Sequence, residues 1–260
     1  MAYYKFVARL SHSLFRFMGR LCNFLDAVFS GFWLGVMSEK SLDYSDELFY
    51  NRSKHYSDDK YNLSGLFDWE KTMIEKYFSN AKSILLIAAG GGREVLALGK
   101  MGFEVDSYEC NQSLIEYGNA LLKKNGIDAD IKYLPRNSIP SEIKKYDGII
   151  VGWGAYSLIQ GNKKRRTFLA GLYPFLKKET PLMVSFLWME KKGKKDEIIK
   201  NISNFFRIFS NKDKTEPGDR LVPDFIHYFS EEEIKNELIQ SNFRVIDYYS
   251  SDYACVIAGI

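Results

Sequence analysis

Three consecutive glycines, at positions 90–92, are the first place in this chain where residue type and spacing suggest chemistry. They follow a predicted strand, 83–88, and precede a predicted helix that begins at Arg93. Because glycine has no Cβ atom, the backbone can turn sharply there and approach a ligand closely. The amides that open the following helix point into the same space. A tight strand-to-helix turn without any ligand fits the glycines equally well.

Glu109 is the second residue of interest, because it ends the next predicted strand, 103–109. It lies 17 residues beyond Gly92 (109 − 92 = 17). In nucleotide-binding α/β folds, an acid about twenty residues after the glycine turn accepts hydrogen bonds from ribose hydroxyls. An acid that simply faces solvent at a strand end is the alternative. Together, the glycine turn and the acid predict a ligand that contains adenosine.

The spacing of the small residues distinguishes between adenosine ligands. A dinucleotide-binding loop follows the pattern G-x-G-x-x-G/A, whose last small residue allows the helix to pack closely on the strand. That last position is Val95 if the pattern starts at Gly90, and Arg93 if it starts at Ala88. Neither residue is small. The loop instead reads small-x-G-x-G over residues 88–92, which disfavours a dinucleotide.

The elements that must position these residues alternate between strand and helix. The predicted strands are 83–88, 103–109, 131–134, 146–152 and 181–188, and the predicted helices are 93–101, 113–125 and 167–177. Strands separated by helices indicate a parallel sheet with helices on both faces. The final "FRVIDYYSSDYACVIAGI" is typical of two antiparallel strands joined by a short polar turn.

The chain divides into an N-terminal helical extension, residues 1–80, and a main domain, residues 81–260, with a charged insertion at 191–228. The extension could act as a lid over the glycine loop. Within it, apolar residues recur at helical spacing: Phe6, Leu10, Leu14, Phe17, Leu21 and Phe24. Asn23 and Asp26 argue against a transmembrane helix, because polar groups are costly within a bilayer. Peripheral membrane contact through residues 1–37 remains open.

Residues 80–260 as a whole resemble the class I S-adenosylmethionine-dependent methyltransferases. The resemblance rests on the loop at 88–92, on Glu109, and on three segments in the expected order: "YDGIIVGWGAY", "LYPFLKKETPLMVSFLW" and "HYFSEEEIKNELIQSNFRVIDYY". It implies a Rossmann-like, doubly wound, seven-stranded and mostly parallel sheet with a C-terminal antiparallel hairpin. Three positions depart from the family pattern: Ala88, where the loop usually has its first glycine, Leu86, where an acid is common, and Asn137, where an aspartate usually contacts adenine.

The resemblance implies S-adenosylmethionine as the cofactor and assigns residues to its site. The expected cofactor-binding residues are Ala88, Ala89, Gly90, Gly91, Gly92, Glu109, Cys110, Asn111, Arg136, Asn137, Gly152, Trp153 and Gly154. Arg93 and Glu94 open the first helix, either as a contact to the methionine end of the cofactor or as a solvated ion pair.

Residues for the acceptor are less constrained by the sequence. His227 and Tyr156 are the candidate catalytic residues, and His227 would act as a general base. A lone histidine of this kind can also be purely structural. Aromatic residues with polar tips suit a small organic acceptor, although the same residues could instead pack the extension onto the sheet. The candidate acceptor-binding residues are Tyr50, Tyr61, Trp153, Tyr156 and Tyr228.

Composition narrows the partners and the compartment. The net charge of +3 is too small to indicate nucleic-acid binding. Three scattered cysteines, Cys22, Cys110 and Cys255, form neither a disulfide framework nor a metal-ligand pattern, so we expect a cytoplasmic protein without a metal site. The composition leaves the oligomeric state undetermined.

The expected reaction is methyl transfer to an oxygen or nitrogen of a small organic molecule. The predicted fourth strand ends in "VGWGAYS", which lacks the Asp/Asn-Pro-Pro-Tyr text of enzymes that methylate exocyclic amines of nucleic acids. Two alternatives stay open. One is an RNA or protein methyltransferase of the same fold, docked through the basic runs at 163–166 and 191–195. The other is a membrane-associated binding protein that uses the aromatic, basic N-terminus.

Overall fold

A computed structural model describes residues 2–208, 210, 212–251 and 253–260. The strands are β1 Ser83–Ile87, β2 Glu104–Glu109, β3 Ile131–Tyr133, β4 Gly148–Val151, β5 Leu182–Phe186, β6 Asp219–Leu221, β7 Phe225–His227, β8 Arg244–Ser250 and β9 Ala254–Gly259. The α-helices are α1 Ala2–Val36, α2 Glu39–Arg52, α3 Asp59–Asn62, α4 Asp68–Tyr77, α5 Arg93–Lys100, α6 Gln112–Lys124, α7 Asn162–Leu172, α8 Lys194–Arg207 and α9 Glu231–Gln240. Short 3-10 helices cover Lys54–Ser57, Ala155–Leu158 and Tyr173–Phe175.

Seven of the strands form one sheet in the order β3-β2-β1-β4-β5-β9-β8. Strands β1 to β5 are parallel, and β9 is antiparallel to both β5 and β8. The predicted Rossmann-like sheet with a C-terminal antiparallel hairpin is therefore confirmed. The remaining strands, β6 and β7, form a separate ribbon within the charged insertion.

Both faces of the sheet are covered, as its sequence requires. Side chains alternate along a strand, so a strand that is apolar at every position has to be buried on both sides. In β1, Leu85 and Ile87 belong to the core on one face, whereas Ile84 and Leu86 belong to the core on the other. This burial holds the carboxyl end of β1, where the glycine loop begins, in a fixed position.

The predicted helix at 167–177 was wrong in its bounds. Helix α7 begins earlier, at Asn162, after Gly161 with its φ of 82°, and the chain turns into a 3-10 helix at 173–175. Pro174 explains the early end, because proline has no amide hydrogen to donate to a helical carbonyl and its ring collides with the preceding turn.

Helix α1 continues through Gly31 and Gly35, which form its contact with α8. A Cβ atom at Gly31 would lie 2.9 Å from the Ile199 carbonyl oxygen, and one at Gly35 would lie 2.7 Å from Cβ of Phe206. The two glycines therefore allow the helix backbones to approach closely. Among the helices of the described residues, none is long and apolar enough to cross a membrane.

Gly152 directly follows β4, at a point where the backbones of β1 and β4 approach closely. A Cβ atom there would lie 2.3 Å from the Ala88 carbonyl oxygen and 3.1 Å from that of Ile87. Both are backbone atoms, which cannot rotate away as a side chain would. Gly152 therefore lets the carboxyl ends of β1 and β4 stay adjacent.

We predict that Gly152→Ala lowers the free energy of unfolding by about 1–3 kcal/mol, the usual cost of forcing a methyl group into a packed site. Gly19→Ala is the control, because a Cβ atom at Gly19 meets nothing within 4 Å. Chemical denaturation followed by circular dichroism measures both variants. A Gly152→Ala chain as stable as the parent would contradict the close approach of the two strands.

Candidate functional site

The carboxyl ends of β1, β2 and β4 open onto a cavity. Parallel α/β sheets place ligands at this edge. Twelve of the residues predicted from the sequence line the cavity: Ala88, Ala89, Gly90, Gly91, Glu109, Cys110, Asn111, Arg136, Asn137, Trp153, Tyr50 and Tyr61. Apolar residues complete its lining: Ile87, Leu114, Leu134, Val151, Leu158, Ile159 and Phe168.

The three glycines of the loop differ in what they do. Gly90 has a φ of 54°, lines the cavity, and has no atom within 4 Å of where its Cβ would lie. At Gly91 a Cβ atom would lie 2.3 Å from the Tyr56 carbonyl oxygen. Gly92 has a φ of 93°, precedes α5 as its N-cap, and does not line the cavity. Gly90 alone thus combines a left-handed backbone with open space beside the cavity.

Glu109 shapes the loop through its carboxylate. One oxygen accepts from the Gly90 amide at 2.8 Å, and the other accepts from the amides of Cys110 at 2.8 Å and Asn111 at 2.9 Å. A carboxylate has about four acceptor positions, so the oxygen bonded to Gly90 can take one more donor. The side chain is 7% exposed, and the alternative of a solvent-facing acid is therefore wrong.

Residues 39–65, which we call the cover segment, lie over the glycine loop. Asp46, Tyr50, Tyr56, Tyr61 and Asn62 of this segment line the cavity. Cover-segment side chains on both sides of the cavity are bonded to the sheet domain, which fixes the segment in place. These bonds join Asn51 Oδ1 to Asn111 Nδ2 at 3.0 Å, Asp59 Oδ1 to the Tyr117 hydroxyl at 2.7 Å, and Asp46 to Arg136.

Arg93 ties the extension to the first helix of the sheet domain. Its guanidinium group donates to both carboxylate oxygens of Glu70, each at 2.6 Å, and to Glu94 at 2.9 Å. It also donates to the Gly65 carbonyl at 2.8 Å. Arg93 is 1% exposed, so a solvated Arg93–Glu94 pair is wrong. Removing one partner of such a buried pair is costly, because the remaining charge has no compensation.

Several buried polar atoms at the cavity have no hydrogen-bond partner among the described residues. They are Asn62 Oδ1, Asp46 Oδ1, Arg93 Nε and Trp153 Nε1. A buried polar atom without a partner costs about 1–3 kcal/mol. Two acceptors and two donors of the residues that line the cavity therefore carry such a cost.

An acid pair adjoins the cavity. Asp224 is 3% exposed, and burial together with the neighbouring Asp46 carboxylate raises its pKa to about 7. Burial likewise raises the pKa of Asp46, against the opposing effect of Arg136. Burial also raises the pKa of Tyr50, and Asp46 adds to that shift. A carboxyl group with a pKa near 7 can take up or release a proton at neutral pH.

Cys110 lines the cavity as a neutral thiol. Burial, and then the nearby Glu109 carboxylate, raises its pKa to about 12. Because the thiolate is the reactive form of cysteine, Cys110 contributes volume and packing to the site and is not a nucleophile at neutral pH.

Six predicted site residues lie outside the cavity lining: Gly92, Gly152, Gly154, Tyr156, His227 and Tyr228. Tyr156 is fully buried in the core and its hydroxyl donates to Glu237 at 2.7 Å. His227 is also buried, with Asp219 2.6 Å from Nδ1 and Glu233 3.1 Å from Nε2. These two carboxylates raise the pKa of His227 against the effect of burial. A histidine that donates from both nitrogens has no lone pair with which to accept a proton.

Glu216, Asp219 and His227 form a group whose ligand atoms lie within 4.8 Å of one another. Each already has a protein partner, however. Glu216 bonds to the buried Arg165 at 2.7 Å, and Asp219 bonds to His227. The arrangement serves the packing of the insertion and gives no support to a metal site.

Sequence reasoning did not single out Asp46 and Asn62, which line the cavity, or Asp224, whose carboxyl group neighbours that of Asp46. Asp46 and Asn62 belong to the cover segment, and Asp224 lies between β6 and β7 of the insertion. Only tertiary packing brings these segments to the cavity, for example through the bond from Ser45 Oγ to the Pro223 carbonyl at 3.3 Å. Their local sequence carries no motif that could have indicated the site.

We predict that Asp224→Asn stabilises the chain at pH 8. The pKa of Asp224 is raised from 3.8 to about 7 in the folded state, so the folded chain binds more protons and loses stability as pH rises through this window. The uncharged asparagine avoids that loss, with a gain of up to about 4 kcal/mol at pH 8 that disappears near pH 4.

Asp147→Asn is the matched control with the opposite sign. Lys177 and the amides of Ser83 and Lys82 lower the pKa of Asp147, so its loss should destabilise the chain at pH 8. Thermal unfolding at several pH values measures both variants. Equal effects of Asp224→Asn at pH 4 and pH 8 would contradict the assigned environment of Asp224.

No model of a known protein family matches the sequence, and no curated protein matches it. Among solved structures, a 1,6-didemethyltoxoflavin N1-methyltransferase from Burkholderia thailandensis, with bound 1,6-didemethyltoxoflavin and S-adenosylhomocysteine, is 14% identical at a TM-score of 0.61. The match covers 86% of this chain and 91% of that one.

Two further solved structures have a similar fold. A SAM-dependent methyltransferase from Methanosarcina mazei is 16% identical at a TM-score of 0.57, over 75% of this chain and 98% of that one. An S-adenosylmethionine-dependent methyltransferase from Clostridium acetobutylicum is 11% identical at a TM-score of 0.56, over 84% of this chain and 96% of that one. The sheet order and these neighbours show that the chain has the fold of the class I S-adenosylmethionine-dependent methyltransferases.

Proposed function

We propose that this protein is an S-adenosylmethionine-dependent methyltransferase that methylates an oxygen or nitrogen atom of a small organic molecule. The observation that carries the proposal is the joint placement of Gly90 and Glu109 on one cavity at the carboxyl edge of the sheet. The left-handed Gly90 has open space beside it, and the Glu109 carboxylate retains one free acceptor position beside the amide that it holds.

The residues present suit S-adenosylmethionine. Glu109 would accept from a ribose hydroxyl. The apolar Leu134 and the polar Asn137 from the segment after β3 also line the cavity. The cofactor supplies a methyl group already activated by a sulfonium centre. The protein therefore has to hold the reactants in alignment and exclude water.

The acid pair, Asp46 and Asp224, would accept the proton that the methylated oxygen or nitrogen loses. An oxygen or nitrogen that gains a methyl group loses a proton during or after the transfer. Asp46 lines the cavity, and the adjacent Asp224 has a pKa of about 7. We assign Asp46 to the contact with the acceptor and Asp224 to the uptake of the proton, in place of His227.

A small acceptor is favoured over RNA or protein. The cover segment contributes Tyr50, Tyr56 and Tyr61 to the lining of the cavity, and aromatic side chains with polar tips suit a compact organic molecule. The Burkholderia thailandensis neighbour is named for methylation of 1,6-didemethyltoxoflavin, which is such a molecule.

The basic runs offer little to a polyanion. In the run at 163–166, Lys164 pairs with Glu39 at 2.5 Å, and Arg165 is buried against Glu237 and Glu216. In the run at 191–195, Lys192 pairs with Glu233 and Lys195 with Asp26. Acids therefore neutralise much of the charge that an RNA phosphate would need.

Gly90→Val tests the cofactor site. We predict that it weakens S-adenosylmethionine binding at least tenfold, because the valine side chain would enter the cavity. Gly126→Val is a matched control, since Gly126 also has a positive φ, of 70°, and nothing within 4 Å of its Cβ position. Both substitutions carry a backbone strain of about 1–3 kcal/mol, but only Gly90 lines the cavity.

Isothermal titration calorimetry of the two variants and the parent, with thermal unfolding as a check on folding, decides the outcome. Equal affinity of Gly90→Val and the parent would show that the cofactor does not bind at this loop. An equal loss of affinity in both variants would show that strain, and not the side chain in the cavity, is responsible.

A further inference from the structure

The first two-thirds of helix α1 project from the protein. Every residue of α1 from Tyr3 to Asp26 is exposed. Helix α1 packs against α8 through its C-terminal part, where Gly31 and Gly35 lie, and Asp26 at the end of the exposed stretch pairs with Lys195 of α8. Residues 3–26 form a helix about 36 Å long, at 1.5 Å per residue. We call these residues the projecting helix.

The projecting helix exposes far more apolar surface than solubility favours. The residues concerned include large aromatic side chains, such as Tyr3 at 81% exposure, Phe15 at 78% and Phe17 at 61%. Large apolar patches on a soluble protein indicate a surface for interaction. An interaction partner is therefore needed to explain why this helix is apolar, since the sheet domain does not bury it.

The charges of the projecting helix lie on one side. Lys5, Arg9, His12, Arg16 and Arg20 follow one another at intervals of four, three, four and four residues, which places them along one face of a helix. Apolar residues recur at the same kind of interval along another face: Phe6, Leu10, Leu14, Phe17, Leu21 and Phe24. The helix is thus amphipathic along its whole projecting length.

All of the charge on residues 3–25 is positive. Four lysine or arginine residues give +4 without counting His12, and the first acidic residue of the chain is Asp26. An apolar face flanked by basic side chains matches the interface of an anionic membrane, where acyl chains receive the apolar face and lipid phosphates pair with the basic one.

The other candidate occupants match less well. A second copy of the helix would bring like charges together without any acid to pair with them, whereas helical dimers usually match opposite charges across the contact. A nucleic acid would pair with the basic face but leave Phe6, Leu14 and Phe17 exposed to water.

We propose that the projecting helix binds the surface of a membrane rich in anionic lipids and lies in its headgroup region. The proposal is independent of the methyltransferase activity. It assigns to α1 a role that the cavity does not require: it holds the sheet domain next to a lipid surface.

Co-sedimentation with lipid vesicles tests the proposal on the full chain. We expect the protein to pellet with vesicles that contain phosphatidylglycerol, and to remain in solution with vesicles of phosphatidylcholine alone. Raising the salt from about 0.1 M to about 0.5 M should weaken the binding, because screening shortens the reach of the basic side chains.

Paired substitutions separate the two faces. Arg9→Ser with Arg16→Ser should weaken partitioning by about 30-fold, since each basic residue near the surface contributes a factor of about five. Leu14→Ser with Phe17→Ser should weaken it by at least as much, through loss of apolar contact.

Two control pairs remove the same types of exposed side chain, basic and apolar, at positions outside α1. Lys191→Ser with Lys194→Ser removes two exposed charges from the insertion, and Ile143→Ser with Ile239→Ser removes two exposed apolar side chains. Both double variants should bind vesicles as the parent does. Circular dichroism checks that all four double variants fold.

Three results would overturn the proposal. One is a protein that stays in solution with both kinds of vesicle. Another is vesicle binding that the control pairs reduce as much as the α1 pairs do. The third, seen by analytical ultracentrifugation without lipid, is a dimer that Leu14→Ser with Phe17→Ser converts to a monomer while vesicles bind neither form.

Discussion

The buried carboxylate of Glu109 is the interaction on which the candidate site depends. A buried charge is costly unless hydrogen bonds replace the water that it loses. Here the amides of Gly90, Cys110 and Asn111 provide them, so the end of β2 and the loop after β1 are fixed by one side chain. The left-handed backbone at Gly90, with a φ of 54°, lies within this hydrogen-bonded turn. The cavity is shaped by that turn.

A second buried ion, Arg93, extends the constraint to the N-terminal part of the chain. Its bonds to the carbonyl of Gly65, the last residue of the cover segment, and to Glu70 of α4 fix both against the first residues of α5. The close approach of the Tyr56 carbonyl to Gly91 requires the same arrangement. The glycine loop is therefore held from the sheet side by Glu109 and from the outer side by the cover segment. A ligand in the cavity would contact both.

Periodicity and turn residues were sufficient to predict most of the sheet. The apolar run at 83–87 forms β1 and the alternation at 104–109 forms β2, and these two strands pair in parallel. The local sequence pattern and the position in the sheet therefore agree. The same agreement explains why residues 88–91 and Glu109 lie together at one cavity, as their positions after β1 and at the end of β2 predicted. The bounds of α7 were missed because the apolar pattern around Phe168 continues past the point where Pro174 stops the helix.

The rest of the site depends on packing between segments that are distant in sequence. Asp46 and Asn62 reach the cavity only because the cover segment folds over it, and nothing in the surrounding sequence marks them. The sequence suggested His227 as a base because it lies near a strand end. In the structure, Asp219 and Glu233 are hydrogen-bonded to its two ring nitrogens. These partners are 8 and 6 residues away in sequence and belong to different elements, so the local sequence does not indicate them.

Binding of S-adenosylmethionine in the cavity can be measured by native mass spectrometry of the unmodified chain, mixed with equal amounts of S-adenosylmethionine, S-adenosylhomocysteine and NAD. We expect one-to-one complexes with the two sulfur-containing nucleosides and no complex with NAD, because the loop lacks the third small residue that a dinucleotide needs. A complex with NAD alone, or no complex with any of the three, would contradict it.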